Sequence, residues 1–137
     1  MIEIKNGQLF IDKKPTPMLS TDYPYYRDSA EQWEIKLDAL KELGVNVLSF
    51  YVPWRHHHIK ANAGWIYDFT GKTQGNRNLQ QFMKLASNKG FYLLVKPGPF
   101  IHAETDAGGL PDFVLGKDDN GIQPYTSAEG KPQYWGE

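Results

Sequence analysis

Three clusters of chemistry-bearing side chains stand out along the chain. The first is Asp22, Tyr23, Tyr25, Tyr26 and Arg27. The second is Tyr51, Trp54 and the run His56, His57 and His58. The third is Phe100, His102, Glu104 and Asp106. Aromatic rings stack on the apolar face of a pyranose, while carboxylates and imidazoles hydrogen-bond its hydroxyls, so the mixture suits a sugar site. Tyrosines also fill cores and bond their hydroxyls to backbone, so residue types alone do not assign a ligand.

Simpler chemistries compete for the same side chains. Glu104 and Asp106 resemble a catalytic carboxyl pair, but residues two apart on a strand are separated by roughly 7 Å, wider than a retaining pair of carboxyls. Glu104 also has a structural alternative, pairing with Arg27 or Lys96. The three consecutive histidines suggest zinc, yet consecutive side chains in extended backbone diverge and no further ligands accompany them, so no metal site is expected.

The elements that must position these clusters follow from periodicity. Ile2 and Ile4 alternate with Glu3 and Lys5, Asn6-Gly7 turns the chain, and Leu9 and Ile11 alternate again, which predicts a leading hairpin within 1–14. Pro17 to Asp22 is a strand candidate. Ser29 with Gln32 reads as a capping box before a helix over Ala30 to Leu43, with Trp33, Leu37 and Leu40 on one face and Gly44 as its stop. Val45 to Val52 reads as a strand buried on both faces. A long polar loop is expected from Pro53 to Gly75. A second helix spans Asn78 to Lys89, a strand follows over Phe91 to Val95, and Leu110 to Leu115 opens a third helix. Residues 116–137, poor in aliphatics, are expected to be loop or disordered.

This alternation of strand and helix implies parallel strands joined by right-handed crossovers. The turn after the first such strand, Tyr23 to Ala30, lacks the glycines that cradle a pyrophosphate, which disfavours a doubly wound nucleotide fold. The expected fold is therefore α/β, a partial TIM-type (β/α)8 barrel. A full barrel needs about 250 residues, so 137 residues hold about three of the eight units. Active sites of such barrels lie at the C-terminal strand ends, where all three clusters fall.

A net charge of -1 gives no basic surface for a polyanion, so no nucleic acid partner is expected. The absence of cysteine excludes disulfides and thiolate metal sites. No apolar run approaches the roughly 20 residues of a membrane span, and no signal peptide is read at the N-terminus, so a cytoplasmic protein without a membrane partner is expected.

Longer motifs make the reading more specific. Ser20-Thr-Asp-Tyr-Pro-Tyr-Tyr-Arg27 is similar to Ser-Gly-Glu-Ile-His-Tyr-Phe-Arg, and Gly44-Val45-Asn46-Val47 precedes Tyr51-Val-Pro-Trp-Arg-His-His-His58, which is similar to Tyr-Val-Pro-Trp-Asn-x-His-Glu. Gly64 to Asp68-Phe69-Thr-Gly71 follows, then Lys96-Pro-Gly-Pro-Phe-Ile-His-Ala-Glu104, similar to Arg-Pro-Gly-Pro-Tyr-Ile-x-Ala-Glu, and Gly108-Gly-Leu-Pro111. In this order, up to about Leu115, the motifs resemble glycoside hydrolase family 35, the β-galactosidase family. The resemblance implies that Tyr51 contacts the galactosyl ring and that Ile101, His102, Ala103 and Glu104 line the pocket, Glu104 accepting from sugar hydroxyls. Asp22 and Trp54 are expected nearby. Asp22 and His58 stand where the family has glutamates, Pro24 where it has histidine, and His102 where it has asparagine or cysteine. These differences bear on the choice of sugar more than on the fold.

The resemblance further implies retaining hydrolysis of terminal β-galactosides or related β-glycosides, without cofactor or metal. The family's acid/base glutamate follows an asparagine, and no Asn-Glu pair occurs in this sequence. The two catalytic glutamates are thus expected beyond residue 137, leaving this stretch with part of the sugar pocket, no turnover of its own and a tendency to self-associate. The alternatives are a non-catalytic carbohydrate-binding protein on the same scaffold and an unrelated β/α protein.

Overall fold

The computed structural model describes residues 1–61, 64–102 and 105–115, and the backbone of Tyr125–Thr126 and Pro132–Gln133. The leading segment turns as its alternation predicts. Strand β1 (Ile2–Lys5) pairs antiparallel with β2 (Gln8–Ile11), with Asn6 and Gly7 at positive φ in the turn. A further strand, β3 (Lys14–Pro15), pairs with β2, so the hairpin is a three-stranded sheet. Asp12 and Lys13, both at positive φ, make the second turn.

Beyond it the chain runs through β4 (Ser20–Asp22), α1 (Trp33–Glu42), β5 (Val47–Tyr51), a single-turn α2 (Trp54–His57), the antiparallel hairpin β6 (His58–Ala61) and β7 (Gly64–Tyr67), α3 (Leu79–Asn88) and β8 (Tyr92–Lys96). β4, β5 and β8 form one parallel sheet in that order. The α/β class and the parallel pairing agree with the periodicity; among the described residues no sheet closes on itself. No helix among them is long and apolar enough to cross a membrane.

Several elements depart from expectation, each for a local reason. β4 begins at Ser20 rather than Pro17, because proline has no N–H for a ladder. Asn46 takes over the preceding residues: its Nδ2 donates to the Pro17 carbonyl at 2.7 Å and its Oδ1 accepts from the Leu19 N–H at 2.9 Å. The capping box does not form. The Ser29 carbonyl accepts the Gln32 N–H at 3.0 Å, which makes a 3-10 turn over Ala30–Gln32, and the α-helix starts only at Trp33. The expected loop from Pro53 to Gly75 instead contains α2 and the β6–β7 hairpin. Leu110 to Leu115 yields only a 3-10 turn, Asp112–Leu115, with the Val114 N–H bonded to the Pro111 carbonyl at 3.1 Å. Of the expected tail, 116–137, two short strands are described, Tyr125–Thr126 paired antiparallel with Pro132–Gln133; the rest lies outside the described residues.

The core lies between the sheet and the two longer helices. Trp33 and Leu37, one turn apart on α1, are fully buried, as are Phe82 and Ala86 on α3. Phe82 stacks on Tyr25 with centroids 4.8 Å apart and meets Phe50 edge-on at 5.1 Å. Burying each such side chain contributes about 1.5–3 kcal/mol. α3 is capped by Asn78, whose side chain accepts from the Gln81 N–H at 3.0 Å and donates to Gln81 Oε1 at 3.1 Å. The other sheet face carries Asp22, Ser49, Tyr51, Tyr92, Leu94 and Lys96, which the register sets side by side. Tyr92 and Leu94 are 44% and 50% exposed there.

Candidate functional site

Parallel register builds the site. Asp22 lies opposite Ser49 in β5, and Tyr51, two residues on, lies opposite Lys96 in β8. All three strands end here, so Asp22, Tyr51 and Lys96 meet at their C-terminal edge. Lys96 Nζ donates to Asp22 Oδ1 at 2.8 Å and lies 3.9 Å from the centroid of the Tyr51 ring. The hydrogen bond from Lys96, aided by one from Ser49, holds the Asp22 carboxyl below its usual range. Burial opposes the charge on Lys96, but the hydrogen bond and charge of Asp22 outweigh it and hold the ammonium above its ordinary value. Beside this trio is a cleft of about 290 Å³ whose walls include Asp22, Tyr23, Tyr26, Arg27 and Tyr51.

Trp54, at the start of α2, is about one-third exposed, its indole N–H donating to the Pro97 carbonyl at 2.7 Å. The next segment of the third cluster folds back on itself. Ile101 is 1% exposed and donates its N–H to the Gly108 carbonyl at 2.8 Å, so it anchors the loop from within. His102 is exposed, has φ 52° and meets Phe100 edge-on with centroids 4.2 Å apart. Histidine is one of the few side chains that tolerates that left-handed conformation. Ala103 and Glu104 lie outside the described residues. Asp106 belongs to a 3-10 turn, not to a strand.

The second cluster divides into three separate roles, because His56 and His57 lie on α2 and His58 opens β6, each against a different neighbour. His56 contacts the Asn76 carbonyl at 3.3 Å. His57 is fully buried between the Tyr25 hydroxyl and the Asp68 carbonyl. His58 stacks on Trp65 with centroids 4.6 Å apart. Among the described residues no group of three or more His, Cys, Asp or Glu side chains is placed to hold a metal. The Asp68 carboxylate is instead a loop organiser. It accepts from the N–H and hydroxyl of Thr70, the N–H of Gly71 and the N–H and hydroxyl of Thr73, all within 3.0 Å. Burial opposes its charge, but these donors hold it well below the usual carboxylate range.

Two contributors to this region were not among the sequence candidates. Lys96 stands in the Lys-Pro-Gly-Pro motif, and its role becomes visible only through its register with Tyr51. Arg55 bonds Asp112 at 2.6 Å and the Leu110 carbonyl at 3.2 Å, tying α2 to the segment after the Gly108-Gly109 pair.

Comparison with known proteins adds to this geometry. A family model described as glycosyl hydrolases family 35 matches residues 8–129. An exo-beta-D-glucosaminidase of Thermococcus kodakarensis is 32% identical over 83% of this chain and 14% of its own. A beta-1,2-glucosyltransferase of Ignavibacterium album is 39% identical over 83% of this chain and 15% of its own. A beta-galactosidase of Mus musculus is 35% identical over 85% of this chain and 17% of its own. The present chain thus spans between 14% and 17% of the length of these relatives. Among solved structures, the endo-1,4-beta-mannanase of Rhizomucor miehei is similar with a TM-score of 0.52, over 69% of this chain and 28% of that one, at 15% identity, a likeness of fold.

Proposed function

The chain belongs to family 35 of the glycosyl hydrolases, and from that membership we propose that it forms about the first three units of a (β/α)8 barrel whose strand ends bind a terminal β-linked sugar. The observation that carries this reading is the meeting of Asp22, Tyr51 and Lys96 beside a cleft at the C-terminal edge of three parallel strands. The half-exposed Tyr92 and Leu94 on the open sheet face support the barrel, since an interior is where such a face is covered.

In this reading the whole protein cleaves a terminal β-galactoside or related β-glycoside with retention. Two carboxyls about 5 to 5.5 Å apart perform that reaction, one protonating the leaving oxygen and one attacking the anomeric carbon. Both are supplied by strands outside this stretch. This stretch contributes recognition: Tyr51 faces the sugar ring, Ile101 and His102 line the pocket, and the family motif carries the same role to Ala103 and Glu104, with Glu104 accepting from sugar hydroxyls. The named relatives act in different ways, so the glycon is set by the positions that differ from the family motif, Asp22, Pro24, His58 and His102.

The test uses a chain carrying these residues together with the remaining strands of the barrel. It is expected to hydrolyse a chromogenic β-galactoside, β-glucoside or β-glucosaminide, with kcat/KM reduced at least about tenfold by Tyr51→Ala. The 137-residue chain is expected to show no turnover. Turnover by the short chain that disappears in Glu104→Gln, with folding intact, would contradict this division of labour. Glycoside binding without turnover in the longer chain would favour a non-catalytic carbohydrate-binding protein.

A further inference from the structure

We propose that Lys96 is a positioning residue of the sugar site: by bridging from β8 to Asp22 on β4 it clamps the Tyr51 ring of the intervening strand in one sugar-facing orientation. The inference rests on the reading of this edge as a sugar site and goes beyond it by naming what holds its aromatic wall. β4 and β8 are separated by β5, so their backbones stand about 10 Å apart, twice the spacing of neighbouring strands. An ion pair between residues on the two outer strands must pass over the middle one. The β5 residue directly opposite Lys96 is Tyr51. The ammonium accordingly lies 3.9 Å from the Tyr51 ring centroid while donating to Asp22 Oδ1 at 2.8 Å.

This contact constrains Tyr51 in a way that packing alone does not. The ring is only partly buried, at the end of a strand and beside an open cleft. A cation held over one face favours the orientation that presents the π-face to it and disfavours rotation about χ1. Asp22 fixes the cation, and Ser49 in turn hydrogen-bonds Asp22. Four residues on three strands therefore place one hydroxyl and one ring face, the kind of support that recognition of sugar hydroxyls requires. Lys96 acts through Tyr51, not on the sugar.

The test uses the chain itself, with methyl β-D-galactoside and methyl β-D-glucoside as probes followed by NMR. Lys96→Met, which keeps the stem and removes the charge, is expected to weaken binding about fivefold to twentyfold, while Lys96→Arg stays within about threefold of the unchanged chain. A second readout is independent of sugar. The Lys96 ε-methylene protons are expected to be shifted upfield by the Tyr51 ring and to return to ordinary positions in Tyr51→Leu, with the dispersion of the remaining spectrum preserved. Unchanged affinity in Lys96→Met would overturn the proposal, as would ordinary Lys96 shifts in the unchanged chain. If the unchanged chain bound neither glycoside, the sugar-site reading would fail and the proposal with it. That outcome is recognisable because Lys96→Met would then alter the spectrum alone.

Discussion

The Tyr25 hydroxyl donates to Nε2 of His57 across 2.6 Å, and the opposite ring nitrogen, Nδ1, donates to the Asp68 carbonyl at 2.6 Å. A carbonyl only accepts, so Nδ1 carries the proton and Nε2 is left as the acceptor for Tyr25. This neutral imidazole joins the turn after β4 to α2 and to the loop organised by Asp68. A second proton would make Nε2–H the donor, forcing the Tyr25 hydroxyl to turn its own hydrogen away from this partner, and would place a charge in a fully buried position.

That arrangement gives the fold a pH dependence with a definite sign. Burial is the main cause that pushes His57 down to about 4 from its ordinary 6.5, aided by His56 and Arg77 and opposed by the hydrogen bond to Asp68. Between those values the unfolded chain takes up a proton that the folded chain does not. Stability is therefore full above pH 6.5 and falls as the pH drops toward 4, by up to about 3 kcal/mol. Urea denaturation at a series of pH values measures it. His57→Gln is expected to flatten the slope in this window, and an equal slope in both proteins would contradict the assignment.

The Gly108-Gly109 pair makes a second prediction. Gly108 has φ +59°, and a Cβ there would lie 1.9 Å from the Phe100 ring. Gly108→Ala therefore clashes and is strained at once, and is expected to destabilise the 100–110 segment by about 1–3 kcal/mol. The sensitive probe is hydrogen exchange at the Ile101 N–H, which bonds the Gly108 carbonyl at 2.8 Å. Protection equal to that of the unchanged chain would show that this close approach is not maintained in solution.

Much of the frame was legible in the sequence, for identifiable reasons. Trp33, Leu37, Phe82 and Ala86 follow helical spacing, and Val47 to Tyr51 is continuously apolar but for Ser49, so α1, α3 and β5 announce themselves by burial pattern. Tyr51, Asp22 and Trp54 were placed at strand ends because parallel strands end together. The β6–β7 hairpin was missed because histidine and lysine interrupt its apolar residues. Its signal was the sequence Asn62-Ala63-Gly64 between Ile59 and the run Trp65-Ile66-Tyr67. Lys96 was missed for a different reason. Its partner Asp22 lies 74 positions away, and only the strand register brings the two together. His57 and Asp68 lie in motifs shared with the family, and their contacts assign them to loop architecture.

The open face of the parallel sheet predicts self-association of the 137-residue chain. Tyr92 and Leu94 are half exposed there on an edge strand, a surface suited to pairing and apolar contact. Sedimentation velocity over a concentration series is expected to show species larger than monomer, and Leu94→Lys is expected to shift the distribution toward monomer. A purely monomeric chain at all concentrations would contradict the expectation.

Binding of a β-linked sugar at the strand ends of Asp22, Tyr51 and Lys96 can be read by chemical-shift mapping during NMR titration with methyl β-D-galactoside. Saturable shifts centred on Tyr51 and Asp22 and extending to His102 are expected, all lost in Tyr51→Ala while the core signals of Trp33 and Phe82 stay in place. Shifts centred elsewhere in the molecule, or the same saturable shifts in Tyr51→Ala, would contradict it.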